Sequence, residues 1–169
     1  MDDQGLLEAC VRSPTHGEQG GETGLPESKG ARLLIIEMDD LFRRNISERL
    51  RMENHQVFDV SGENEAKRII QRMDLDVVLL GLGGLKKRGL ALLREIKRLR
   101  PHTEVILLTP SEDLSLSLSI EGMKAGAFDD LLVPFDMETL LERVREAYAG
   151  RMRKKEERKP LHRRPDGKR

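Results

Sequence analysis

The sequence predicts an open α/β fold, a doubly wound sheet of five parallel strands with helices on both faces. Three observations carry this. Short apolar runs rich in β-branched residues alternate with segments of helical period. Most of the runs are unbroken rather than alternating in polarity, as strands covered on both faces must be. The segments between them also have room for the right-handed helical crossovers that parallel neighbours need.

The first strand is expected over Leu33 to Ile36. Phe42, Ile46 and Leu50 then recur every fourth residue and mark one buried helical face. Asn54 suits the left-handed position that ends this helix. Val57 to Val60 is the most polar run and belongs at an edge of the sheet, followed by a helical face at Ala66, Ile69, Ile70 and Met73. Val77 to Leu80 forms the third strand, before a helix packed through Leu92, Leu93, Ile96 and Leu99. After the fourth run, Val105 to Leu108, the segment Leu116 to Lys124 alternates Leu with Ser, a poor helix former, and by itself could suit a strand. Its place between two parallel strands makes it a helix. Leu131 to Val133 closes the sheet, and Asp136 caps a last helix packed through Leu140, Leu141, Val144 and Tyr148.

The chain has 169 residues, 37% hydrophobic and 36% charged, which suits one solvated domain with tails. Only 3% are aromatic, so aliphatic side chains must build the core. The single cysteine, Cys10, has no internal partner, and nothing argues for an oxidising compartment; a cytoplasmic setting is expected. No stretch approaches a membrane span and the start has no signal-peptide run. The net charge of zero hides an asymmetry. Residues 1–30 carry six acids against two bases and are rich in Gly, Pro and Ser, so a disordered leader is expected there. Residues 31–150 form the domain. Residues 151–169 carry ten bases against three acids, read as a basic tail that extends the last helix and then frays. Too little chain follows the domain for a full DNA-binding output module. Without aromatics, the tail is read as solvated rather than as a nucleic-acid contact.

In such sheets chemistry sits at the carboxyl ends of the strands. There the sequence resembles the response regulator receiver family of two-component signalling. The resemblance covers nearly all of residues 31–150 and is most specific over GLALLREIKRLRPHTEVILLT and EGMKAGAFDDLLVPFDMETLLERVREA. It implies a flavodoxin-like sheet in the order 2-1-3-4-5. It also implies a pocket in which a strand-end aspartate accepts phosphate, acids after the first strand help it hold Mg²⁺, a Thr or Ser contacts the phosphoryl group and a Lys pairs with it. A hard dication wants carboxylates and a phosphoryl group wants positive charge. Aligned without gaps, DVVLLGLGGLKKRGLALL puts Gly81 at the acceptor position and Val133 at the lysine position. The acidic pair becomes Glu37 and Met38, and methionine is a poor Mg²⁺ ligand. Thr109 is retained, while the aromatic that usually moves with it falls at Asp130.

The resemblance therefore implies a degenerate receiver, neither an enzyme nor a cofactor binder. It would bind a histidine kinase, another response regulator or itself. Slipping the first loop by two would make Asp39 and Asp40 the acidic pair without restoring acceptor or lysine. Glu37, Asp39 and Asp40 are weak candidates for a metal, or residues capping the first helix. The glycines of Gly81 to Gly84 suggest a nucleotide loop as the alternative reading, yet Lys86 stands where a G-x-G-x-x-G needs glycine. His16, His55, His102 and His162 lack ligand or base spacing and are read as surface histidines.

Overall fold

The computed structural model of the protein describes residues 30–112 and 115–159. The acidic leader, apart from Gly30, and the end of the basic tail lie outside these residues. Five strands, β1 (Arg32–Ile36), β2 (Gln56–Val60), β3 (Val77–Gly81), β4 (Glu104–Pro110) and β5 (Asp129–Val133), form one parallel sheet in the order β2-β1-β3-β4-β5. The polar second run takes an edge, as its composition requires. The crossovers are α1 (Asp40–Met52), α2 (Glu63–Arg72), α3 (Lys87–Leu99) and α4 (Ser115–Lys124), and α5 (Met137–Glu157) follows the last strand. A single helical turn, Leu82–Leu85, links β3 to α3.

Alternate residues of the central strands feed two separate cores. Leu34, Ile36, Val78, Leu80, Val105 and Leu107 face α2 and α3, where Ala66, Ile69, Ile70, Leu92, Leu93 and Ile96 are buried. Leu33, Ile35, Val77, Leu79, Ile106 and Leu108 face α1 and α5, against Ile46, Leu50, Leu140, Leu141 and Val144. Each such aliphatic side chain contributes about 1.5–3 kcal/mol when fully buried. The helices start and stop on the residues suited to it: Asp39 and Asp136 accept from the backbone N–H of Phe42 and Thr139 at the starts of α1 and α5. Asn54, at φ 63°, turns the chain after α1.

Two local expectations change. His55 is not a free surface histidine: its Nδ1 accepts from the backbone N–H of Ala31 at 3.0 Å, and burial holds its pKa below the ordinary value. Segment 115–124 is helical as expected, but of its large apolar side chains only Leu118 packs on the core. Leu116, Ile120 and Met123, spaced i, i+4 and i+7, are 63%, 48% and 42% exposed, whereas Ser119 is buried. That inversion is why the period of this helix was weak in the sequence.

Candidate functional site

The carboxyl ends of β1, β3, β4 and β5 bring together the residues that the sequence singles out. Ile36 pairs with Leu80, Gly81 with Leu108 and Val133 with Pro110, so Glu37, Gly81, Thr109 and Val133 lie along one end of the sheet. Gly81 is in ordinary extended backbone, at φ −73° and ψ 119°, so no left-handed conformation demands glycine there. Space demands it. A Cβ on residue 81 would stand 2.1 Å from Oε2 of Glu37 and 3.2 Å from the carbonyl oxygen of Ile36. The buried Glu37 carboxylate therefore lies directly over Gly81. Its Oε1 accepts from the backbone N–H of Asp39 at 2.9 Å. Burial raises the Glu37 pKa, while the N–H groups of Asp39 and Met38 oppose the rise.

The other acids after β1 are also committed. Asp39 caps α1, with Oδ1 2.8 Å from the Phe42 nitrogen. Asp40 pairs with Arg43 at 2.6 Å. Arg43 is the cation of this loop, and the sequence reading missed it. Its guanidinium donates to the carbonyl of Glu37 at 2.8 Å and to Asp59 at 3.3 Å while pairing with Asp40. An arginine three residues after an aspartate at a helix start was the available signal. Met38 is 47% exposed, and its thioether packs so close that a Cβ on Gly84 would meet the sulfur at 2.4 Å.

On the other side of Gly81, Thr109 is fully buried and its hydroxyl donates to Oδ1 of Asp130 at 2.5 Å. The Ser119 hydroxyl of α4 donates to Oδ2 of the same carboxylate. Asp130 is thus held inward by two hydroxyls from two elements. Val133 packs against the α1/α5 core beside Phe135, whose ring meets Phe42 at 5.8 Å. Residues 81–84 do not form an open cradle. Leu82–Leu85 is a helical turn, and a Cβ on Gly83 would stand 3.1 Å from the Pro110 ring. These glycines serve close packing, which corrects their reading as a nucleotide loop. Among the described residues no group of three or more His, Cys, Asp or Glu is placed to hold a metal ion.

An acid loop, a buried Thr and a strand-end position 81, set at the carboxyl end of a β2-β1-β3-β4-β5 sheet, agree with the comparisons: residues 33–145 match the response regulator receiver domain. The chain belongs to that family. It is 32% identical over 114 residues to the response regulator protein PmrA of Pseudomonas aeruginosa, covering 68% of this chain and 51% of that one. It is 28% identical over 125 residues to the regulatory protein AtoC of Escherichia coli, covering 74% of this chain and 27% of that one. The chain thus spans about half or less of these relatives' length. The structure of a response regulator receiver domain protein from Clostridium thermocellum is 33% identical with a TM-score of 0.66, covering 74% of this chain and 97% of that one. In this receiver no described helix is long and apolar enough to cross a membrane.

Proposed function

We propose that this receiver works in two-component signalling without being phosphorylated at residue 81, and that it acts by binding another protein. The observation that carries the reading is the Glu37 carboxylate over Gly81. Position 81 has no side chain to accept phosphate, and the space beside it is taken by a carboxylate from the end of β1. Val133, at the lysine position, adds no positive charge to stabilise a phosphoryl group. Loss of these opposite charges together is chemically consistent, since a lysine left without its phosphoaspartyl partner would be a buried, unpaired charge.

Mg²⁺, which the family's chemistry uses, does not fit the residues present. Glu37 is turned onto Gly81, Asp39 is spent as a helix cap, Asp40 is paired with Arg43, and Met38 is a poor ligand for a hard cation. The Thr109–Asp130–Ser119 cluster further supports a fixed state, because Thr109 is already held by a carboxylate of its own chain.

A protein partner is supported by the apolar stripe Leu116, Ile120 and Met123 on α4, with the 53% exposed Leu132 on the neighbouring edge strand. A histidine kinase, another response regulator or a second copy are the partners that family membership suggests. The test is incubation with acetyl phosphate and Mg²⁺ followed by intact-mass measurement. The mass should stay unchanged. A stable adduct of one phosphoryl group on Asp39, Asp40 or any other carboxylate overturns the reading.

A further inference from the structure

The opposite end of the sheet carries a concave surface of different character. There the last turns of α5 pass the corner between α3 and β4. They enclose a cleft of about 550 Å³ lined by Arg100, His102, Arg151, Lys154, Lys155 and Arg158. Arg151, Lys154, Lys155 and Arg158 fall at i, i+3, i+4 and i+7, so they form one stripe along the helix. By helical rise that stripe is about 10 Å long.

Carboxylates near the cleft are too few to neutralise it. Asp74 serves three cations at once, Arg151 at 2.7 Å, Arg32 at 3.4 Å and Lys155 at 3.5 Å. Glu104 is buried and takes Lys154. Asp76 is 3.8 Å from Nε of Arg151, and neither Asp76 Oδ1 nor that Nε makes a hydrogen bond. The Arg100 guanidinium is held by two carbonyls, of Ile70 and Gln71, both at 3.0 Å, so its charge has no carboxylate against it among the described residues. Arg158 faces the His102 ring at 2.7 Å. The excess field is felt by that ring. Desolvation, and then Arg158, Arg151, Lys154 and Lys97, hold the His102 pKa below its ordinary value.

We infer that this cleft binds the phosphate backbone of nucleic acid without reading its sequence. A stripe about 10 Å long spans roughly three phosphates of one strand at their 3.4 Å axial spacing. Among the described residues the apolar lining is only Leu99 and Pro101, with no Phe, Tyr or Trp, so the surface lacks the large aromatic anchors of a protein interface or a base-stacking platform. Residues 151–169 of the sequence hold ten bases against three acids. Charge counting alone treats these bases as a solvated tail. It misses Arg100 and His102, brought from another part of the chain. The inference goes beyond the proposed signalling role and stands apart from the pocket at Gly81.

The experiment measures binding of the full chain to two duplex DNAs of unrelated sequence as salt is raised, by fluorescence anisotropy. Both should bind equally at low salt, with log K falling linearly against log salt at a slope of roughly −3 to −4. The triple variant Arg100→Gln, Lys155→Gln, Arg158→Gln, assayed well below its own melting temperature because Arg100 also holds the carbonyls of Ile70 and Gln71, should make the slope shallower by about three. Arg151 and Lys154 are left alone because Arg151 is itself buried and Lys154 pairs with the buried Glu104. Any of four results overturns the inference: no binding at low salt, a strong preference between the duplexes, a triple variant that binds as the parent does, or polyglutamate competing as well as DNA. The last two outcomes would assign the charge to the tail alone or to an acidic protein partner.

Discussion

Glu37 is the residue whose ionisation the fold resists. Its carboxyl is buried against Gly81, and desolvation raises its pKa above the ordinary 4.5 despite the backbone donors. A folded-state pKa above the unfolded one means that the native state holds the proton more tightly. The associated stability is present below pH 4.5 and is lost as pH rises through the elevated value. Glu37→Gln keeps an oxygen for the Asp39 N–H and removes the charge. It should therefore melt a few degrees above the parent at pH 7, the difference disappearing below pH 4.5. Melting curves across that range check this. Equal melting temperatures at pH 7 would mean that the carboxylate is well solvated and does not lie over Gly81.

At the scale of elements, the helix starts distinguish a cap from a ligand. Asp39 was a candidate for a metal and for a cap, and its contact with the Phe42 N–H makes it the cap of α1. Asp39→Ala should cost about 1 kcal/mol, whereas Asp39→Asn should cost almost nothing, since an asparagine oxygen caps as well as an aspartate oxygen. Urea denaturation of both variants is the measurement. An Asn variant as unstable as the Ala variant would show that the negative charge, and hence a cation, matters at this position. Helix α4 makes a related point about pattern. Its buried side chain is polar, Ser119 bonded to Asp130, and Leu116, Ile120 and Met123 face outward while only Leu118 packs inward, so hydrophobic period alone could not orient it.

Across the whole molecule, the receiver frame holds Glu37, Gly81 and Val133 at the ends of its strands, and in the proposed function these positions no longer carry the family's charges. Gly81→Asp with Met38→Asp and Val133→Lys restores the family's charges, but a carboxylate introduced at position 81 would collide with Glu37, whose Oε2 lies 2.1 Å from the Cβ position. Gly81→Asp alone should thus lower the melting temperature, from both overlap and like-charge repulsion. Adding Glu37→Asp to the triple change shortens the obstructing side chain. That fourfold variant should rise in melting temperature with Mg²⁺, by about 2.7 kcal/mol of linkage at a hundredfold excess over its Kd. The parent should not respond. A fourfold variant as indifferent to Mg²⁺ as the parent would mean that the loops have changed in backbone shape as well as in side chains.

By itself the sequence determined the order and type of the elements, because strand runs and helical faces are local patterns imposed by the demand to bury aliphatic surface. It also determined which residues stand at the ends of β1, β3, β4 and β5, since a parallel sheet collects those positions whatever their chemistry. What those residues do was decided only by tertiary structure. That Gly81 makes room for Glu37, that Arg43 neutralises the acid loop through Asp40 and Asp59, and that Thr109 and Ser119 share Asp130 are contacts set by the packed fold. No spacing encodes them. The same holds for Arg151, which charge counting places in a tail and which is only 6% exposed, drawn in by Asp74 across 77 residues of sequence. Charges and hydrogen bonds act through space over a few ångströms, so their partners are chosen by the packing of the sheet and helices and not by neighbours in the chain.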